Sequence, residues 1–295
     1  MFIQAIERVS AFTRPIHTIL RTYSGNQVIP GAATIFFVNE LGYAVTCKHV
    51  VEMLLASENI NAAYTAFKTE KSKLVQDGKY KASLKGLELK YGFNPEAVIQ
   101  MRSTFVDTVD TMSSFTVYLH PALDLAILKI NDFSNILYSD VAVFKKDGAQ
   151  IKQGEMLCRL GFPFPEFTNY AYNQTTDDIE WKNEGIAHSP RFPIEGMVTR
   201  FLAEQSGIYG IELSTPGLKG QSGGPLFNKQ GIVCGMQFST KHLHLGFDII
   251  DSEMLIQNKL KKVTDYSFMH LGQCIHVDAI KAFLDEHKVK YYVED

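Results

Sequence analysis

Apolar residues in this chain come mostly in short runs of strand length, separated by turns bearing glycine, asparagine or proline. That is the pattern of an antiparallel β protein. The spacing predicts strands at Ile16–Thr22, Ala33–Val38 and Tyr43–Cys47, with Asn39–Gly42 as the hairpin turn between the last two. Further strands are predicted at Phe115–Leu119, Leu125–Ile130, Val141–Phe144, Glu155–Leu160, Gly196–Leu202, Gly207–Leu213, Pro225–Asn228, Gly231–Ser239 and Gly272–Val277. Helical spacing is confined to Ile3–Ala11, Val50 to Val75, an insertion around Asp248–Val263, and Asp278–His287, where Asp278 is the expected N-cap. Residues 76–104 are polar, lysine-rich and ambiguous. Residues 164–195, which hold the only tryptophan, Trp181, read as a long surface loop.

Composition narrows the class. Of 295 residues 45% are hydrophobic and 21% charged, which suits a buried core and argues against a disordered regulator or a fibre. Lys and Arg number 29 against 32 acidic residues, a net charge of −3, so there is no electrostatic footprint for nucleic acid. Cys47, Cys158, Cys234 and Cys274 lie too far apart for a zinc motif, and His242 and His244 form an HxH pair that no third ligand completes by spacing. No stretch approaches the ~20 apolar residues of a membrane span, and no basic-then-apolar leader opens the chain. The expectation is a cytoplasmic protein that needs no metal or cofactor and binds neither nucleic acid nor membrane.

Three segments carry chemistry. Residues 217–226, Gly-Leu-Lys-Gly-Gln-Ser-Gly-Gly-Pro-Leu, flank Ser222 with glycines that permit a tight turn and let backbone N–H groups converge on one point. Residues 42–51, Gly-Tyr-Ala-Val-Thr-Cys-Lys-His-Val-Val, place His49 just beyond an apolar strand. Residues 123–130, Leu-Asp-Leu-Ala-Ile-Leu-Lys-Ile, open an apolar strand with Asp124, a carboxylate costly to bury without donors. Each segment alone has a plain structural reading: a glycine turn, a packed histidine, a strand-start cap. Asp107 and Asp110 are rival carboxylates, but neither opens an apolar strand. Cys47, two residues before His49, is either a packed thiol or a redox-sensitive one.

In the order His49, Asp124, Ser222, these segments resemble the trypsin-like serine peptidases, on the motifs TCKHVV (46–51), LDLAILKI (123–130) and GQSGGPL (220–226). The HtrA/Deg-type protease domain is the nearest likeness, through LGFPFP (160–165), MVTRFLAE (197–204) and GQCIHVDAIKAFLDE (272–286). The resemblance implies a mainly β fold of two antiparallel six-stranded barrels with peripheral helices. The first barrel would span about 1–135, with an insertion at 56–104. The second would span about 136–295, with insertions at 164–195 and 240–270. It implies Ser222 as nucleophile, His49 as general base and Asp124 as its orienting acid. The backbone N–H groups of Gly220 and Ser222 would form the oxyanion hole.

Pro216 would stand at the bottom of the primary pocket, with Leu218, Met236 and Phe238 as an apolar lining suited to a small or medium aliphatic residue. Two departures matter. Gln221 stands where trypsins carry the Asp that pairs with a cut N-terminus, and no PDZ domain is expected. The partners expected are a protein or peptide substrate and an activating or regulatory protein; relatives of this type often form trimers, but no segment of this sequence demands one. Three readings remain open: a serine endopeptidase, a conditionally activated intracellular protease, and a catalytically silent binding module of the same fold.

Overall fold

The computed structural model describes residues 1–25, 28–205 and 207–295. An amphipathic helix, α1 (Ile3–Ser10), buries Ala5 and Val9 and leads into β1 (Thr13–Thr22), β2 (Val28–Phe37) and β3 (Tyr43–Thr46). The turn before β3 closes on Asn39, whose side-chain oxygen accepts from the amides of Leu41 and Tyr43 at 2.9 and 3.4 Å. Then come α2 (Lys48–Lys71), α3 (Tyr80–Tyr91), β4 (Val98–Phe105), β5 (Ser114–Leu119) and β6 (Ala126–Asn131). These strands form one antiparallel sheet in the order β4-β1-β2-β3-β6-β5.

That order is a six-stranded barrel cut along the β4–β5 seam, which carries no pairing among the described residues. The free edge of β4 is occupied instead by α2. The Asn61 side chain donates to the Met101 carbonyl at 2.9 Å and accepts from the Met101 amide at 3.0 Å, satisfying the edge as a neighbouring strand would.

The second half contains β7 (Val143–Phe144), β8 (Met156–Gly161), β9 (Tyr170–Asn173), β10 (Asp178–Trp181), β11 (Phe192–Glu204) and β12 (Gly207–Leu213). It continues with β13 (Pro225–Phe227), β14 (Val233–Ile256), β15 (Lys259–His276), α4 (Val277–Glu286) and β16 (Tyr292–Val293). Strands β8, β11, β12, β15, β14 and β13 pair in that sequence, and the β13–β14 and β13–β8 ladders close the ring. One apolar core runs through both halves, from Phe12, Ile35 and Leu128 to Leu160, Leu226 and Ile275.

The expectation of a mainly β two-barrel fold holds, with corrections. Residues 248–263 are not helical. They lie in β14 and β15, which continue past the barrel as a two-stranded ribbon and reverse at Gln257 and Asn258, with φ of 50° and 59°. Two consecutive left-handed residues make the tight turn that suits a twisted hairpin. The region 164–195 is partly the β9–β10 hairpin, which is pinned to the barrel where Asp177 accepts from Arg21, Tyr64 and Tyr172 at 2.8, 2.8 and 2.6 Å. The first insertion stops short of 104, because β4 is a barrel strand. The cap of α4 is His276, whose Nδ1 accepts from the Asp278 amide at 3.2 Å. Among the described residues no helix is long and apolar enough to cross a membrane.

Candidate active site

The strand β3 ends at Thr46, and the extended Cys47 turns the chain into α2, so His49 sits in the first turn of that helix. Cys47 is fully buried, and its thiol meets the Gln237 carbonyl of β14 at 3.3 Å, which fixes the strand end against the second barrel. Burial pushes the Cys47 thiol well above its ordinary pKa, so the packed reading of this cysteine fits and the redox-sensitive one does not.

Asp124, just before β6, spends both oxygens on His49. Oδ1 accepts from the His49 amide at 3.0 Å, and Oδ2 lies 2.7 Å from His49 Nδ1. A carboxylate only accepts, so in the neutral ring Nδ1 carries the proton and Nε2 keeps its lone pair. Burial alone would raise the Asp124 pKa, but the bonds from the His49 ring and amide outweigh it and hold the carboxyl below its ordinary value. Half of the His49 side chain is exposed, so the free ring edge meets the cleft.

Ser222 lies in the loop between β12 and β13. Gly220 and Gly223 have φ of 91° and 87°. A Cβ at Gly220 would press on the Phe162 carbonyl, and one at Gly223 would strike the Thr34 carbonyl and the Thr46 hydroxyl, so neither position admits a side chain. Thr34 of the first barrel clamps the loop: its amide donates to the Ser222 carbonyl at 3.0 Å and its hydroxyl to the Gly220 carbonyl at 2.7 Å. Gln221 is fully buried, accepting from the Leu218 amide at 3.0 Å and donating to the Phe192 carbonyl at 3.1 Å. The amides of Gln221, Gly223 and Gly224 donate to Leu218, Gln237 and Gln221. Those of Gly220 and Ser222 have no acceptor among the described residues.

Ser222 and His49 line one cavity of about 550 Å³, walled by residues 216–219 on one side and 237–240 on the other. The structure thus joins His49 to Asp124 directly and sets Ser222 on the same cleft; among the described residues Ser222 Oγ makes no hydrogen bond to His49. Pro216, Leu218 and Phe238 line the cavity. Met236 does not: it is fully buried and pairs with Pro225 and Ile275 in the barrel. In the β14–β15 register Gln237 opposes Cys274 and Ser239 opposes Gln273, so Phe238 is an extra, bulged residue. The bulge breaks the alternation that places Met236 and Phe238 on one face.

Sequence reasoning missed Gln237, Thr240, His242 and His270 on the same cavity. It also missed Arg159 of β8, fully buried behind Gln237. Arg159 Nη1 donates to Gln237 Oε1 at 2.7 Å, and Nη2 to Thr215 Oγ1 at 2.6 Å and to the Thr215 and Pro216 carbonyls at 3.1 Å each. Its Nε finds no acceptor, and burial lowers its pKa. The available signal was a lone arginine inside the apolar run Met-Leu-Cys-Arg-Leu.

Donor atoms of Cys47, His49 and Asp124 come within 4.8 Å of one another, but the thiol is buried and both Asp124 oxygens serve His49, so the cluster suits a hydrogen-bonded relay better than a metal. The rival carboxylates lie elsewhere. Asp107 faces His188 at 3.3 Å, and Asp110 is held to about 2 by donors from Asn135, Ser134 and Thr111. A family model described as a trypsin-like peptidase domain matches residues 33–236. No curated protein matches the chain. Among solved structures, the active form of the Rv3671c protease from M. tuberculosis aligns at a TM-score of 0.48 and 12% identity, over 98% of this chain and 86% of that one.

Proposed function

This chain belongs to the trypsin-like peptidase family, matched over more than half its length, and from that premise we propose that it is a serine endopeptidase in which Ser222, His49 and Asp124 act as a triad. The observation that carries this is the 2.7 Å contact of Asp124 with His49 Nδ1, which leaves Nε2 free on the cavity that Ser222 lines.

A serine hydroxyl is a weak nucleophile at neutral pH. His49 Nε2 takes its proton as Oγ attacks the substrate carbonyl, and Asp124 stabilises the resulting imidazolium. Hydrogen bonds of this kind are often long without substrate and tighten as it binds. The free amides of Gly220 and Ser222 receive the developing oxyanion. The imidazolium then protonates the leaving amine, the C–N bond breaks and an acyl ester remains on Ser222. Water, deprotonated by His49, attacks the ester, and the imidazolium returns that proton to Ser222 Oγ as the acyl–oxygen bond breaks and the new carboxyl product leaves. A peptide laid against a barrel edge as an added strand would present its carbonyl to this point.

The test is Ser222→Ala with a fluorophosphonate probe. Wild-type protein should be labelled at Ser222 and cut peptides. The variant should escape labelling, keep its fold by circular dichroism, and lose turnover by a factor on the order of 10⁴–10⁶. Unchanged cleavage by the variant would overturn the assignment.

A further inference from the structure

We propose that this site cuts after an acidic residue, whose carboxylate is received at the end of the cavity by the Gln237 amide with the Arg159 guanidinium behind it; the inference rests on the endopeptidase reading above. The side walls, Pro216, Leu218 and Phe238, suit the aliphatic stem of a long side chain. The polarity at the end is set by Arg159. A guanidinium only donates, so Gln237 must turn its oxygen to Arg159, at 2.7 Å, and its NH₂ away from it. One amide hydrogen goes to the Ser239 carbonyl at 2.6 Å, and the other has no acceptor among the described residues.

Arg159 itself is fully buried, and its hydrogen-bond partners, Gln237, Thr215 and Pro216, are all neutral. A buried cation without a counter-charge is expensive, and its field is poorly screened, so a carboxylate one amide away gains from it while a lysine or arginine is repelled. Lys219, on the same cavity, agrees in sign, and among the described residues no carboxylate lines it. Asp124, the nearby acid, is occupied by His49. Gly217 is part of the design: a Cβ there would collide with the Gln237 amide.

The experiment profiles the whole chain against peptides that differ only in the residue before the cleaved bond: Glu, Asp, Gln, Leu and Lys. Glu should exceed Gln and Leu in kcat/KM by at least tenfold, with Lys slowest. Gln237→Glu is nearly isosteric and supplies Arg159 with a counter-ion, so it should abolish the preference for Glu over Gln. If that variant does not fold, the wild-type ratios alone decide.

Fluorophosphonate labelling of the wild type separates the failures. Labelled protein that prefers Leu or Lys, or that cuts after Gln as fast as after Glu, overturns the acidic preference and leaves the endopeptidase reading intact. Absence of both labelling and Ser222-dependent cleavage overturns that reading, and this inference with it.

Discussion

The strands β14 and β15 belong to two different environments along one continuous ladder. Up to Thr240, and again from Leu271, they are barrel staves whose Met236, Gln237, Cys274 and Ile275 are buried. From Lys241 to His270 no described residue is buried, although Leu243, Phe247, Ile250, Leu255 and Leu260 are as apolar as anything in the core. The backbone bonds are of the same kind in both parts. What differs is whether other elements cover the faces, and a two-stranded ribbon without such cover has little stability of its own. The candidate chemistry lies at the border: the bulged Phe238, Gln237 and the cavity they shape stand where covered strand becomes bare ribbon.

Among changes to this border, the largest expected effect comes from adding one carbon at the base. Gly272 pairs with Leu213 and Thr240, and its amide donates to the Thr215 carbonyl at 2.8 Å. A Cβ there would collide with Arg159 Nη1 and stand 2.6 Å from the Thr215 carbonyl oxygen. Overpacking of this kind costs about 1–3 kcal/mol, and it moves Arg159, which orients Gln237, and Thr215, which holds Arg159. Gly272→Ala should therefore lower Tm by roughly 2–5 °C and reduce kcat/KM at least tenfold. An unshifted melting curve with normal turnover would show that the base is not packed as tightly as its contacts imply.

The same border separates what could be read from the sequence. His49, Asp124 and Ser222 stand in local patterns, a strand end, a strand start and a glycine-flanked turn, and a pattern of ten residues is enough to single them out. The ribbon was misread as helix because Leu, Ile and Lys between 248 and 263 fit either period. Only the partner strand, far along the chain, decides between them. Met236 was misplaced because a bulge is a mismatch between two strands and leaves no mark in either alone. Arg159 was visible as a charge in an apolar run, but its partners Thr215 and Gln237 meet it only once the ring closes.

A smaller effect should appear with pH at the C-terminal end of the base, where β15 hands over to α4. His276 is buried and its Nδ1 must be unprotonated to accept from the Asp278 amide. Burial lowers its pKa below the ordinary 6.5, and this outweighs the opposing pull of Asp278. The unfolded chain therefore takes up a proton at higher pH than the folded one. The stability His276 contributes is complete above about 6.5 and is lost as pH falls toward the depressed folded value. Asn keeps a capping acceptor but cannot titrate in this range. His276→Asn should thus gain Tm relative to wild type as pH is lowered from 7.5 to 5. His17, pushed down to about 4 by burial, adds the same slope to both proteins and cancels. A Tm difference that stays constant with pH would remove His276 from the base's acid response.

The smallest effect should follow the largest deletion. Leu243 pairs directly with Met269, so residues 244–268 can be replaced by Asn-Gly, the two-residue turn that suits a hairpin closed by that pair. The excised segment contains no buried side chain, and its ladder bonds run only between its own two strands. Its internal hydrogen bond, His244 with Asp248 at 2.7 Å, leaves with it. His242 and His270, which line the cavity, stay. With no cover on that stretch from the described residues, removing it takes nothing from the core, and Tm should move by no more than about 2 °C, on the order of 1 kcal/mol for a domain of this size. Turnover of a short peptide should stay within about threefold. If Tm fell by more than about 5 °C, or the cavity lost its selectivity, the outer ribbon would be tensioning the bulge at Phe238. The two environments would then act as one mechanical unit, and the border drawn at Thr240 would lie in the wrong place.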